Sequence, residues 1–315
     1  MLEEKKVYIG IDVSKSILDV FVLPNNKHMQ FKNEPDSIEK LLAKLKTFPN
    51  SLIVMESTGG YEKPLAYALS KASFNVCIAN PRQVRDFAKA LGKLAKTDKI
   101  DAQVIALFAN KIEPQANVVY DKDHQMLSDN NARRRQLVDM IKMEKNRLDK
   151  ASPSQRESIE RVLEVLEKEL KTINEAQEKA IQDNPEYLEK KKILESVAGI
   201  GAVTAASILS EIPELGQIGS KQIASLAGLA PFNRDSGTLK GKRTIWGGRA
   251  SIRIALYMAT LVAIRHNPRI KLVYERLCLA GKAKKVAIIA CMRKLLIIIN
   301  TMIKNGPCWN AMLAA

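Results

Sequence analysis

Residues 7–12, Val7-Tyr8-Ile9-Gly10-Ile11-Asp12, form a β-branched, aromatic and apolar run that ends on an acid. After a short turn comes SILDVFVL at 16–23, so the two runs read as an antiparallel strand pair, with a third strand at HMQFKN, 28–33. Residues 37–47, SIEKLLAKLKT, space Ile38, Leu41, Leu42 and Leu45 at helical intervals. SLIVME at 51–56 is again a buried strand closing on an acid, Glu56, and Thr58-Gly59-Gly60 breaks it. A helix through PLAYALSKA and a strand at FNVCIAN, 74–80, complete a mixed α/β pattern.

Past Pro81 the chain turns basic, with Arg82, Arg85, Lys89, Lys93 and Lys96, and TDKIDAQVIALFA then reads as a helix capped by Thr97 and starting near Asp98. Residues 120–183 are poor in glycine, rich in charge and helical. Within them Ile159, Leu163, Leu166, Leu170 and Ile173 step by four, three, four and three, the apolar seam of a coiled coil. Ser152-Pro153-Ser154 could turn an earlier helix, carrying Leu137, Ile141 and Leu148, back onto that seam. The section reads as a helical hairpin that packs on itself or on a second copy. From about residue 191 glycines appear in pairs, and SVAGIGAVTAASIL at 196–209 has the helix, Gly-Ile-Gly, helix layout of a helix-hairpin-helix. Further helices are expected at 220–228, 248–265 and 284–303.

The net charge of +16 over 315 residues is unevenly spread. Residues 1–110 carry 16 basic against 12 acidic side chains, residues 111–190 carry 15 against 17, and residues 191–315 carry 19 against 5. A last third that basic repels itself unless a polyanion neutralises it, which makes nucleic acid the leading partner and a membrane surface the second. Cys77, Cys278, Cys291 and Cys308 lack paired short spacing, and His28, His124 and His266 are scattered, so neither a zinc site nor a disulfide framework is readable. The start, MLEEKK, has no apolar signal region, and the most apolar stretch, 286–303, carries Arg293 and Lys294 at its centre. A buried helix, no membrane span and a cytoplasmic location are expected.

Asp12 and Glu56 close two strands of one α/β layer, and Asp98 and Asp101 stand three apart, on one face of a helix. Acids at the C-terminal ends of neighbouring strands point into one crevice. Four converging carboxylates repel one another unless cations intervene. Magnesium suits oxygen ligands, and two such ions about 4 Å apart clamp a phosphodiester during phosphoryl transfer. Taken singly, each acid could equally be a turn residue or a helix cap.

These residues resemble a family, the insertion-sequence transposases of the IS one-ten group, the RNA-guided recombinases called bridge recombinases. The likeness rests on YIGIDVSK around Asp12, VMESTGGY around Glu56, AKTDKIDA around Asp98 and Asp101, then SVAGIGAVTAASILSEI and LAGLAPFNRDSG. It implies a RuvC-like, ribonuclease H-like domain over 1–112 whose Asp12, Glu56, Asp98 and Asp101 hold magnesium. It implies also a helical coiled-coil region over 120–185, and a basic helical domain over 191–315 whose Ser236 becomes covalently joined to DNA. A structured noncoding guide RNA, donor and target DNA, and a homo-oligomer, dimer or tetramer, whose active sites combine domains from different protomers, follow from the resemblance alone.

On its own, Asn233 to Arg243, NRDSGTLKGKR, reads as a basic turn containing a serine. A serine hydroxyl needs help to lose its proton, and no histidine lies near Ser236 in sequence. Given the resemblance, Arg234 would contact the scissile phosphate, Lys240, Lys242, Arg243 and Arg249 would hold its neighbours, and Gly237 and Gly241 would let backbone approach a strand. Gly199 and Gly201 could cradle a phosphate at a helix N-terminus or form a packing turn. Arg249 and Arg253 share a helix face, and Trp246 could stack on a base or fill core.

The expectation is therefore a DNA transposase working through a phosphoserine, with magnesium and without a nucleotide cofactor. A RuvC-type magnesium-dependent nuclease that uses water is the alternative, and an inert nucleic-acid-binding scaffold the third reading.

Overall fold

The computed structural model describes residues 6–92, 98–117, 121–233, 235, 236, 239–241, 243–306 and 309, without the side chains of 98, 99, 235, 239 and 240. Thr97, Lys93, Lys96, Arg234, Gly237 and Lys242 lie outside the described residues. Two compact units divide the chain, Met1–Asp121 and Lys122–Ala315.

The first unit is built on β1 (Val7–Val13), β2 (Ile17–Leu23), β3 (Lys27–Lys32), α1 (Pro35–Leu45), β4 (Ser51–Glu56), α2 (Lys63–Lys71), β5 (Asn75–Ala79), α3 (Pro81–Ala90) and α4 (Asp98–Ile112). Its strands lie in the order β3-β2-β1-β4-β5. The first three are antiparallel, whereas β4 and β5 run parallel to β1. Side chains alternate across the sheet. Ile9, Ile11, Leu18, Val20, Ile53 and Met55 pack with Leu41, Leu45, Leu65 and Leu69 of α1 and α2 on one face. Tyr8, Phe21, Leu52, Val54 and Cys77 pack on the other with Val84 of α3 and Ala102, Ile105, Ala106 and Ala109 of α4. This mixed sheet between helical layers fits the expected ribonuclease H-like class.

Gly10 decides how α4 lies on that second face. A Cβ there would stand 2.2 Å from the Ala106 nitrogen and 2.3 Å from the Ala102 carbonyl oxygen, so helix backbone rests directly on strand backbone. Just past the C-terminal end of α4, Glu113 accepts hydrogen bonds from Lys6 and Tyr8, near the start of β1. Helix α4 therefore runs antiparallel to β1, and its first turn lies toward the strand's C-terminal end.

The second unit is mainly helical. Helices α5 (Lys122–Leu148) and α6 (Pro153–Gln182) pack against each other, with Leu137, Ile141 and Leu163 buried between them. Lys145 and Glu167 (2.8 Å) and Arg134 and Asn174 (3.0 Å) join across the pair. The seam thus finds its partner within the chain. Helices α7 (Pro185–Glu195), α8 (Ala202–Glu211), α9 (Ser220–Leu226), α10 (Ala250–His266), α11 (Pro268–Leu279) and α12 (Lys284–Asn305) surround one core. Gly199, at φ +106°, presses against Ala259 and Ala263 of α10, so the turn between α7 and α8 is a packing turn; Gly201 precedes α8 with open space where a Cβ would stand. Among the described residues only α12 is long and apolar enough to cross a membrane, and Cys291, Leu295, Leu296 and Ile299 seat it in the core. Between α9 and α10 the chain makes two small ribbons, β6 (Pro231–Phe232) with β9 (Thr244–Ile245), and β7 (Asp235–Ser236) with β8 (Leu239–Lys240).

Replacing Gly10 by Ala should destabilise the first unit by about 3 kcal/mol or more, the upper range for overpacking, since backbone rather than a side-chain end must move. Denaturant unfolding checks this, and an unchanged midpoint would refute the close approach.

Candidate functional site

Strand pairing brings the first two acids level. Ile11 pairs with Met55 in the parallel β1–β4 ladder, so Asp12 and Glu56 come next, side by side at the C-terminal ends of adjacent strands. Alternation puts both on the face covered by α4, and both are half-buried. The first turn of α4, starting at Asp98 and including Asp101, lies toward the same end because α4 opposes β1. The fold thus carries all four backbone positions to one end of one sheet face. Among the described residues, however, no three His, Cys, Asp or Glu side chains stand close enough to hold a metal ion, and the Asp98 side chain is not among them. The donor set itself is all carboxylate oxygen, which fits a hard divalent cation.

Two further acids shape this end of the sheet, and sequence reading singled out neither. Asp19 sits directly across from Asp12 in the β1–β2 pairing and is 4% exposed. Its Oδ1 accepts from His28 Nε2 at 2.9 Å and Gln30 Nε2 at 3.2 Å, both on β3. The signal was an acid inside an otherwise apolar strand. Glu62 is equally buried and holds the loop that follows Glu56. Its Oε2 accepts from the Gly60 N–H (2.8 Å), the Thr58 N–H (3.1 Å) and the Thr58 hydroxyl (3.0 Å). Burial pushes its carboxyl up, but the hydrogen bonds from its own backbone, Gly60 and Thr58 outweigh this and leave it below the usual glutamate range. Gly59 and Gly60, at φ +78° and +119°, give the loop the conformation these bonds need. Asn33 Nδ2 then donates to Ser14 O (2.9 Å) and Tyr61 O (3.2 Å), tying the loop after Asp12 to the loop after Glu56.

Ser236 lies in the second unit, exposed, in register with Leu239. The segment carrying it is clamped at its base. Gly228 and Gly248, both at positive φ, touch so closely that a Cβ on Gly248 would meet the Gly228 nitrogen at 2.2 Å. The Arg249 N–H donates to Leu226 O at 2.9 Å, and Arg253 Nη1 donates to the carbonyls of Ala227 and Gly247. Arg249 also grips both Glu214 oxygens, at 2.7 and 2.8 Å, and the Glu211 carbonyl at 2.6 Å. Burial raises the Glu214 carboxyl, and Arg249, helped by a backbone hydrogen bond and His124, more than offsets it, leaving it below the usual range. The guanidinium groups of Arg249 and Arg253 are thus engaged within the unit. Arg243 is exposed, Lys240 belongs to β8 by its backbone, and Gly241 is half-buried.

Acidic positions at one end of a mixed sheet, joined in sequence to a basic helical unit with an exposed serine, suit phosphoryl transfer on nucleic acid. Comparison agrees. The family pattern described as a DEDD transposase of IS110 type matches residues 9–151, and that of the transposase IS116/IS110/IS902 family matches residues 191–275. The pilin gene-inverting protein of Moraxella bovis is 29% identical over 318 residues, covering 96% of this chain and 97% of that one. Its namesake from Moraxella lacunata matches to the same extent. The insertion element IS900 uncharacterized 42 kDa protein of Mycobacterium paratuberculosis is 32% identical over 118 residues, 36% of this chain and 29% of that protein. The chain belongs to the IS110 family of transposases, enzymes that recombine DNA. The DEDD domain of such enzymes works with divalent metal.

Replacing Glu62 by Ala should cost the Ser57–Tyr61 loop about 1.5–3 kcal/mol of local stability, the range for hydrogen bonds to a charged group. Amide exchange at Thr58 and Gly60 reads this directly. Because the folded-state pKa is depressed, protection in the parent should hold from pH 7 to about 5 and fall away below the ordinary glutamate value of about 4.3. Equal protection in the variant would remove the assigned role.

Proposed function

We propose that this transposase cuts and rejoins DNA through a covalent phosphoserine at Ser236, with Asp12, Glu56, Asp98 and Asp101 holding magnesium, two ions in the working enzyme. The observation that carries the reading is the placement of those four acids at one end of one sheet face in a chain of the DEDD type. Bound there, magnesium would neutralise charge developing on the phosphate and ease loss of the serine proton.

The exchange balances without outside energy. Ser236 Oγ attacks phosphorus, the Oγ–P bond forms, and the bond to one deoxyribose oxygen breaks, that oxygen leaving as a hydroxyl with the proton that Oγ gave up. A strand hydroxyl then attacks the phosphoserine, and Oγ–P breaks as the new phosphodiester forms, the proton of that hydroxyl returning to Oγ. Each step trades one ester for another, so no nucleotide cofactor enters. The relatives named for gene inversion favour this over hydrolysis by water, since inversion requires ends to be rejoined. Lys240, Lys242, Arg243 and Arg234 serve phosphate contacts on the same segment, and Gly201 offers backbone at a helix start. The family resemblance adds a structured guide RNA that pairs with donor and target DNA, and a homo-oligomeric enzyme. The regions 1–112, 120–185 and 191–315 then supply metal chemistry, helical assembly and the nucleophile.

The test incubates the full chain with magnesium, the element's RNA and cognate DNA, and looks for a protease-sensitive protein–DNA adduct. The parent should trap one; Ser236→Ala should lose it while still binding DNA. Asp12→Asn and Asp101→Asn should reduce cleavage at least a hundredfold, the usual scale for removing one electrostatic stabiliser. Free DNA ends in equal yield from parent and Ser236→Ala would replace the phosphoserine with water, and unchanged cleavage in the acid variants would remove the metal site.

A further inference from the structure

Phe232 and Trp246 are the most exposed aromatic side chains among the described residues, at 50% and 58%. Both lie in the segment between α9 and α10, on or next to the β6–β9 ribbon, and the neighbouring β7–β8 ribbon of that segment carries Ser236. Phe232 pairs with Thr244 across β6 and β9, and Trp246 follows one residue past the end of β9, where continued alternation would set it diagonal to Phe232 on the same face. Ile245, between Thr244 and Trp246, points the other way and packs against the helical core. The core therefore takes the intervening aliphatic side chain and leaves the two rings outside. That outcome decides against core filling as the fate of Trp246.

From this geometry we infer that Phe232 and Trp246 form a stacking platform for unpaired bases of the DNA strand beside the phosphate taken by Ser236. Diagonal partners on a ribbon stand about 7–8 Å apart, close to twice the 3.4 Å rise between stacked nucleotides, so one base fits between the rings. The surrounding charge selects a polyanion. Arg243 is exposed next to Thr244, and Arg234, Lys240 and Lys242 share the segment, while Asp235 is the one acid between Glu214 and Glu275. A second copy of this surface would bring like charges together. Bases inside a duplex hide their faces, whereas a strand being exchanged must unpair, and an aromatic platform holds any base without reading sequence. The inference rests on the phosphoserine reading for its position beside the cut, but its readout is binding rather than chemistry.

The chain has two tryptophans, Trp246 and the half-buried Trp309. In the full chain with Trp309→Phe, a short single-stranded DNA should quench the remaining fluorescence, and the same strand as duplex or with abasic sites should quench far less. Trp246→Ala should weaken single-strand affinity roughly tenfold, and Trp246→Phe should restore most of it. Phe232→Ala should weaken it likewise, with thermal midpoints unchanged because both rings are exposed. Equal quenching by the abasic strand would assign the contact to backbone and overturn the platform. Quenching by RNA but not DNA would overturn the choice of strand, and a concentration-dependent spectral shift without nucleic acid would assign the face to a second copy. Normal quenching with no adduct at Ser236 would sink only the phosphoserine reading. An adduct without quenching would sink only the platform.

Discussion

The contact on which the first unit depends is backbone against backbone, where α4 crosses β1 at Gly10. A sheet covered on both faces can be stable with its helices at ordinary side-chain distance, so stability alone does not demand this approach. Its effect is positional. With no side chain between them, strand and helix have one available separation, and the helix start carrying Asp98 and Asp101 is fixed relative to the strand end carrying Asp12. The parallel ladder to β4 does the same for Glu56 through hydrogen bonds. Rigid elements thus carry the four backbone positions to one end of one sheet face.

Around that end the loops are held by polar side chains. Glu62 gathers the donors of Thr58 and Gly60, and Asn33 links the two loops beyond Asp12 and Glu56. Asp19 adds a carboxylate to a face already acidic, and His28 and Gln30 offset its burial. In the second unit the same logic appears in another form. The segment bearing Ser236 contributes little to the core beyond Ile245, and its base is fixed by two touching glycines and two arginines that hold carbonyl groups. Positive charge there has an inward job, holding Glu214 and backbone carbonyl groups in place.

Much of the α/β unit was legible because its signals are local. Strand runs ending on Asp12 and Glu56, helical spacing in 37–47, and the antiparallel start all follow from period and turn residues. The acids could be read as strand ends, and α4 as a helix, but the role of Gly10 could not, since its partner lies some ninety residues away. Arg249 looked like a phosphate ligand because sequence shows its charge and not that Glu214, thirty-five residues earlier, lies within its reach. Helix α11 went unread, although Asn267 before Pro268 is a helix start whose side chain accepts from the Ile270 N–H. Two-residue strands, as in the Ser236 ribbons, carry too few residues for any period to emerge.

The α5–α6 hairpin has a consequence of a different kind. At 1.5 Å per residue its 27 and 30 residues make two rods of about 40 and 45 Å, pinned side by side by Lys145–Glu167 and Arg134–Asn174. Such a pair behaves as a ruler graduated in heptads. Removing seven residues from each helix shortens it by about 10 Å and leaves the apolar seam facing its partner, whereas removing three or four turns one rod against the other. Changes of seven residues therefore alter the hairpin's reach without disturbing the seam, whereas changes of three or four must be absorbed by unwinding or overwinding the pair.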